Sequence, residues 1–347
     1  MNSTNGSAGK RRGVWVAVVV VGLVLCAGIF LWLGQVGPFA GRGTAPEKLT
    51  IAVASISMSA PIYVALDQGY FRQEGLDVFV EPHAAGKDAL AAALGGKVDM
   101  ATASETPVVF TVMAGGRLFV IATICDSEKD LGIIARKDKG ISEAADLKGK
   151  TIGVTRGTAS DFFLESFLDF HNVPKQTTKA VSLKPDEMEP ALSAGRVDAV
   201  ATWEPVIGKI RAELGAAVQI YYAAGFYRET WNIIAMPDLV KKRPEAVKKV
   251  LRALISAERF IVEKPVEAQQ IVASHLGVDK AVIAPAWNDF YFRVALDQSL
   301  LVNLENQARW AIRNKLVAGT EVPNFMGSLY PVGLRAVRPD SVTTGVR

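Results

Sequence analysis

The stretch "GRVDAVATWEPV", residues 195–206, decides the fold, because a closely similar stretch, "GKVDMATASETPV", occurs at residues 96–108. Each copy has a glycine that ends a helical segment, the pair Val-Asp, a short apolar strand, and a glutamate with a proline one or two positions later. We call this segment, in which a strand leads through a short loop into a helix, the strand-to-helix joint. Two copies of it in one chain are typical of a protein with two α/β lobes of the same architecture. The alternative is an incidental match of two such joints, since Gly-basic-Val-Asp is a short pattern.

Strand and helix patterns alternate around both copies. "LTIAVA" (49–54) and "LDVFVE" (76–81) predict strands, and "KDALAAALGG" (87–96) predicts a helix that ends at two glycines. A second cycle begins with the strand "KTIGVT" (150–155) and the helix "DFFLESFLDF" (161–170). Strands that alternate with helices predict parallel sheets covered on both faces.

The last third of the chain predicts mostly helices, separated by short breaks. Four apolar-periodic segments carry this prediction, at residues 238–262, 267–277, 281–294 and 301–314. After about residue 318 the chain is punctuated by proline and glycine and is expected to be irregular.

The composition excludes several classes of function. With 39 basic and 35 acidic residues spread along 347 positions, the chain has no basic stripe for nucleic acid. Its three histidines and two cysteines are far apart and lack metal-ligand spacing, so we expect neither a metal nor a cofactor. No Ser/His/Asp or Cys/His set is recognisable, and we therefore expect no enzymatic activity.

Residues 13–34 are an uncharged apolar run that directly follows Lys10, Arg11 and Arg12. A helix of that length would cross the hydrocarbon core of a bilayer, with residues 1–12 in the cytoplasm by the positive-inside rule. The expectation is therefore a retained transmembrane anchor, with the rest of the chain facing the periplasm or cell exterior. A cleaved signal peptide and lipidation at Cys26 are the alternatives.

Four stretches, taken in order, resemble the substrate-binding proteins of ABC importers for sulfonates, taurine and nitrate, together with their thiamine-precursor relatives. The likeness runs over roughly residues 48–340, and its more specific parts are "GYFRQEGLDV" (69–78) and "DLKGKTIGV" (146–154). The four stretches are "LTIAVASISMSAPIYVALDQGYFRQEGLDVFVE", "ALGGKVDMATASETP", "ISEAADLKGKTIGVTRGTASDFFL" and "AGRVDAVATWEPV".

The resemblance implies a two-lobe, type II periplasmic-binding-protein fold in which the chain crosses between the lobes twice, at two hinge crossovers. Mapped onto this chain, the anchor at 13–34 and a linker at 35–47 precede both lobes. Lobe one is expected at 48–135 plus 230–347, and lobe two at 136–229.

Two loops are expected to offer a helix N-terminus to a ligand in the cleft. The first contains Ser57 and Ser59, and the second contains Gly157, Thr158 and Ser160. Backbone N–H groups at such positions bind anions. The same residue types also serve as helix caps without any ligand, so both interpretations stay open.

The repeated joints supply the remaining candidates, Ser104 and Glu105 in one lobe, and Trp203 and Glu204 in the other. In open parallel sheets, ligands bind beyond the carboxyl ends of the strands, which is where these residues are placed. Trp203 is expected to pack against the ligand, and the two carboxylates to pair with a ligand ammonium. A core tryptophan and first-turn helix glutamates are the alternatives. Asp126, Tyr227 and Trp231, near the predicted crossovers, are further cleft candidates.

The expected function is therefore the capture of a small organic anion or zwitterion, such as a sulfonate or taurine, for delivery to an ABC permease and its ATPase. A membrane-tethered sensor that acts through a partner is one alternative, and binding of a thiamine-precursor pyrimidine is another. An enzyme on the same fold is disfavoured because thiamine-pyrimidine synthases carry a cysteine-rich motif, which this chain lacks.

Overall fold

Two β-sheets organise the protein, and each forms the centre of one lobe. The computed structural model describes residues 45–345. The strands are β1 Glu47–Ala54, β2 Leu76–His83, β3 Met100–Ala103, β4 Phe119–Ser127, β5 Leu131–Arg136, β6 Thr151–Val154, β7 Lys179–Ser182, β8 Ala199–Trp203, β9 Val218–Tyr222, β10 Glu229–Ala235 and β11 Tyr291–Ala295.

Helices cover the sheets and form most of the last third of the chain. They are α1 Ala60–Asp67, α2 Tyr70–Gln73, α3 Gly86–Leu94, α4 Glu105–Met113, α5 Ala159–Phe170, α6 Pro185–Ser193, α7 Val206–Leu214, α8 Pro237–Lys242, α9 Pro244–Glu263, α10 Pro265–Leu276, α11 Lys280–Ile283, α12 Gln298–Arg313 and α13 Pro331–Val337.

The sheet of lobe one has the strand order β2-β1-β3-β10-β4-β11, and that of lobe two has the order β7-β6-β8-β5-β9. The prediction of purely parallel sheets is wrong. In lobe one, β10 and β11 run antiparallel to their neighbours, and in lobe two β5 does. The reason is the path of the chain: β5 and β10 each enter a lobe from the cleft side, so they must run away from the cleft, whereas β3, β4 and β8 run towards it.

The chain passes between the lobes at residues 128–130 and 223–228. These crossovers lie side by side, because Ser127 is paired with Glu229 in one sheet and Gly132 with Tyr222 in the other. The first strand of the second sheet along the chain is β5, which starts at Leu131.

The predicted helix at 281–294 is also wrong. Only Lys280–Ile283 is α-helical there, and β11 at Tyr291–Ala295 pairs with β4. The segment "FYFRV" is aromatic and β-branched, which favours an edge strand over a helix.

The two copies of the repeated sequence have the same local structure. In each, a glycine with positive φ follows a helix, at +73° for Gly96 and +68° for Gly195. The aspartate that follows accepts the backbone N–H of the neighbouring strand, at 2.9 Å from Thr50 N to Asp99 and 2.8 Å from Thr151 N to Asp198. The repeat is therefore one structural joint built once in each lobe.

The expected anchor at 13–34 and most of the expected linker at 35–47 lie outside the described residues. Between residues 45 and 345, no helix has both the length and the apolar character needed to cross a bilayer.

Candidate functional site

A small cavity lies between the lobes, at the carboxyl ends of β3 and β8. Its wall includes the helix starts at Gly86 and Ala159, and side chains from both lobes. The side chains that line it include Lys87, Ser104, Glu229 and Trp231 of lobe one and Asp130, Thr158 and Trp203 of lobe two. Of the nine predicted ligand-binding residues, the structure brings Ser104, Thr158 and Trp203 together at this cavity.

The lobes touch each other on both sides of the cavity. On one side Lys87 Nζ donates to the carbonyl oxygen of Arg156 at 2.9 Å. On the other, Phe162 of α5 packs with its ring centroid 5.0 Å from Tyr227 and 5.4 Å from Trp310. Trp203 and Lys87 also line larger grooves outside the cavity.

Two tryptophans supply most of the apolar wall. Trp203 is 7% exposed and Trp231 is 3% exposed. The indole Nε1 of Trp231 donates to Ser59 Oγ at 3.0 Å, and Ser59 Oγ donates in turn to the carbonyl oxygen of Ala54 at 2.8 Å. Ser59 thus lies behind the wall and fixes the orientation of Trp231.

Gly86 lets Trp231 reach the cavity. A Cβ atom at this position would lie 2.7 Å from Trp231 Cη2 and 2.9 Å from Ala103 Cα, well inside van der Waals contact. The glycine that begins α3 is therefore required by the packing of the tryptophan.

Asp130 and Glu229 form a buried carboxyl pair that the sequence analysis missed. They are 1% and 4% exposed, line the cavity, and hydrogen-bond to each other. Ser104 also hydrogen-bonds to Glu229. Burial raises the pKa of both carboxyls well above their usual values. Repulsion by Glu204 adds to this effect at Asp130, and repulsion by Asp130 and Glu105 adds to it at Glu229. The protonated form of each carboxyl is therefore favoured more than it would be in an exposed acid.

Asp130 directly precedes β5 and Glu229 begins β10, so the two carboxyls flank the two crossovers. The pairing of Ser127 with Glu229 brings them together across 99 residues of sequence. The available signal was an acidic residue next to an apolar strand, in "DSEKDLGII" and "YRETWNII". Recognising it requires knowledge of where the chain crosses.

Glu105 is enclosed by protein groups and does not line the cavity. One carboxylate oxygen accepts from Thr230 N at 2.7 Å, Thr230 Oγ1 at 2.8 Å and Asn303 Nδ2 at 2.8 Å. The other accepts from Tyr227 OH at 3.0 Å. Burial raises the pKa of Glu105, while the hydrogen bonds from its backbone, Thr230 and Asn303 act in the opposite sense.

Glu204 is likewise fully buried and outside the cavity wall. It accepts from Gly208 N at 2.9 Å and forms an ion pair with Arg211 at 3.3 Å. Burial raises its pKa to about 7, against the lowering effect of Arg211. The expected pairing of a ligand ammonium with Glu105 and Glu204 has no geometric counterpart here, because both side chains point to protein partners.

The remaining predicted residues lie in the loops beside the cavity. Gly157 donates its N–H to Asp161 at 3.0 Å, and Ser160 shares a 3.0 Å hydrogen bond with Thr158. Ser57 is buried in a 3₁₀ turn, and its hydroxyl oxygen has no partner among residues 45–345. None of the three borders the cavity.

Two helices begin at the cavity without side-chain caps. The N-cap residues are Ala85 for α3 and Thr158 for α5, and neither side chain caps its helix. The Thr158 hydroxyl instead donates to the carbonyl oxygen of Thr155 at 2.7 Å. First-turn N–H groups of such helices, with the positive end of the helix dipole, are suited to an anionic group.

Between residues 45 and 345, no three His, Cys, Asp or Glu side chains are arranged so that they could hold a metal ion. Cys125 is fully buried in β4, and burial raises the pKa of its thiol well above the usual value. A thiol in that state is a poor nucleophile.

Comparison with known proteins places the chain among binding proteins and related enzymes. The sequence profile of the family described as "NMT1/THI5 like" matches residues 57–268. A provisionally named aliphatic sulfonates-binding protein of Bacillus subtilis is 24% identical over 272 residues, covering 76% of this chain and 80% of that protein. The 4-amino-5-hydroxymethyl-2-methylpyrimidine phosphate synthase of Schizosaccharomyces pombe is 25% identical over 223 residues, covering 60% and 63%.

Among solved structures, the alkanesulfonate-binding protein SsuA from Xanthomonas axonopodis pv. citri, bound to MOPS, superposes with a TM-score of 0.74. The match has 18% identity and covers 83% of this chain and 100% of that one, which shows a shared fold. The expected two-lobe periplasmic-binding-protein fold is confirmed, with mixed rather than parallel sheets.

Proposed function

This chain belongs to the NMT1/THI5-like family, and we propose that it is an extracytoplasmic solute-binding protein that delivers its ligand to an ABC importer permease and its ATPase. The observation that carries this proposal is the cavity between the lobes. It is small, it is walled by Trp203 and Trp231, and it lies where two side-by-side crossovers allow the lobes to move apart.

The proposed ligand is a small organic zwitterion or anion of the sulfonate or taurine type. The uncapped starts of α3 and α5 and the side chain of Lys87 border the cavity and offer an anion-binding end. The names of the sulfonate-binding relatives agree with that chemistry. The apolar part of the ligand packs against the two tryptophans.

Binding without catalysis is the simpler proposal for this site. The one cysteine in the described region, Cys125, is buried in a strand and has a raised pKa, which is unsuited to nucleophilic chemistry. We further propose that residues 13–34 hold the protein on the outer face of the cell membrane.

A thermal-shift screen tests the proposed function. The purified protein is heated with alkanesulfonates, taurine, nitrate, carboxylates, simple amines and pyrimidines in turn. A ligand at about 100 times its Kd stabilises the folded state by about 2.7 kcal/mol, which raises Tm by a few degrees.

The shift should be lost in Trp203→Ala and kept in Tyr291→Ala, a matched aromatic that is 55% exposed on β11 away from the cavity. A panel with no shift at all would overturn the proposal of a small-solute site.

A further inference from the structure

Two carboxylate oxygens at the cavity have no hydrogen-bond partner. Asp130 Oδ1 and Glu229 Oε2 are fully buried, and within residues 45–345 no donor reaches either of them. A buried acceptor without a donor destabilises the fold, so a pair of them at a ligand cavity indicates that the donor arrives with the ligand.

The charge around the pair is strongly negative. Glu204 lies close enough to Asp130, and Glu105 close enough to Glu229, to raise the pKa of each. Neither member of the pair forms an ion pair with a lysine or arginine of the described residues. Lys87 borders the same cavity, but its ammonium is bonded to a carbonyl oxygen of the other lobe at 2.9 Å.

We infer that the ligand carries a positively charged nitrogen with at least two N–H donors, which Asp130 and Glu229 bind together at the crossovers. The inference rests on the proposed function, and it identifies which end of the ligand lies where. The nitrogen is at the carboxyl pair, the apolar body is against Trp203 and Trp231, and any anionic group is at Lys87 and the helix starts.

A ligand with only an anionic group does not satisfy this site. Sulfonate, nitrate and carboxylate oxygens are acceptors, and so are the two orphaned oxygens of the pair. An ammonium or amidinium group supplies donors to both carboxyls, and its positive charge favours their ionised form.

Binding should therefore release protons. The other titratable or charged groups that face the pair are Glu105, Glu204, Tyr227, Cys125 and Lys87. Glu105 keeps its four hydrogen-bond donors and Glu204 keeps its partner Arg211, whether or not a ligand is bound. The released protons are therefore expected to come from Asp130 and Glu229. We expect this release to be detectable on binding.

The test is isothermal titration calorimetry of the purified protein with matched probes. Taurine is compared with isethionate, in which a hydroxyl replaces the ammonium, and benzamidine serves as a flat cation without an anionic group. We expect taurine, benzamidine or both to bind, and isethionate to bind at least about tenfold more weakly than taurine. Titrations in two buffers of different ionisation enthalpy measure the released proton.

Glu229→Gln and Asp130→Asn keep the shape of each side chain and should each weaken cation binding by about tenfold or more. Glu128→Gln is the matched control, because Glu128 is an exposed acid on the same crossover that pairs with Arg228 outside the cavity. Thermal unfolding of each variant verifies that it is folded.

Each outcome has a distinct meaning. Equal binding of isethionate and taurine, or unchanged cation binding in both amide variants, would keep the solute-binding function and overturn this inference, leaving the pair as a structural one. Absence of binding by sulfonates, amines and amidines alike would overturn the proposed function itself.

Discussion

The two copies of the strand-to-helix joint share a backbone and differ in what surrounds their glutamates. Glu105 is held by four neutral donors from distant parts of lobe one, whereas Glu204 is held by its own helix and by the partly exposed Arg211. Ser104 and Trp203, one position earlier in each copy, both reach the cavity. The repeated sequence therefore specifies the local backbone of the joint. The hydrogen-bond partners of its side chains depend on residues that are distant in sequence.

The largest effect is expected from Glu105→Ala. The substitution leaves the donors of Thr230 and Tyr227 buried without this acceptor and removes one of the two hydrogen bonds of Asn303 Nδ2. It should lower the free energy of unfolding by about 4 kcal/mol. Glu204→Ala should cost about half as much, because Arg211 has a side chain 30% exposed and can reach water. Urea unfolding midpoints measure both. An equal decrease in the free energy of unfolding in the two variants would show that the two glutamates contribute equally to stability, contrary to this expectation.

The next effect concerns pH and Glu204. Since its pKa is raised from 4.5 to about 7, ionising it costs more in the folded protein than in the unfolded chain. Its contribution therefore destabilises the fold as pH rises from about 4.5 to about 7, by up to about 3 kcal/mol. In Glu204→Gln, the loss of stability between pH 4.5 and pH 8 should shrink by that amount.

Denaturant unfolding at the two pH values checks this expectation. Glu128→Gln, at an exposed acid, should keep the wild-type dependence. If Glu204→Gln also keeps it, the ionisation of Glu204 is not what makes the fold sensitive to pH.

The smallest effect should be the same in both lobes. Asp99→Ala and Asp198→Ala each remove the hydrogen bond to a backbone N–H of the neighbouring strand, and Asp99→Ala also removes the weak, partly exposed contact with Arg243 at 3.4 Å. Each substitution should cost about 1 kcal/mol. Asp99→Asn and Asp198→Asn retain an acceptor oxygen and should cost less. Urea unfolding midpoints of the four variants measure what this hydrogen bond contributes in each lobe. A clearly larger loss of stability in one lobe than in the other would show that the two joints share their geometry but not their energetics.

Local patterns predicted most of the helices and strands, because their apolar spacing is set within a few residues. β1, α3, β6 and α5 lie where the periodicity placed them, within a few residues. The directions of β5 and β10 were not predictable in this way, because they depend on which lobe the chain enters from.

The candidate site shows the same limit. Ser104, Thr158 and Trp203 reach the cavity because strand ends and helix starts meet there, which is a local rule. The orientation of Glu105 depends instead on Asn303, which is 198 residues away. Asp130 and Glu229 meet only because of the pairing between β4 and β10, and no spacing in the sequence encodes that pairing.

The position of β10 in its sheet also has a consequence for the order of assembly during synthesis. β10 lies between β3 and β4, which do not pair with each other, so the sheet of lobe one stays divided until residue 235 has been made. Lobe two has all five of its strands by residue 222 and needs nothing from the C-terminal third to complete its sheet. Lobe two can therefore form its complete sheet while the rest of the chain is still being synthesised. The sheet of lobe one cannot form until its central strand, β10, has been made.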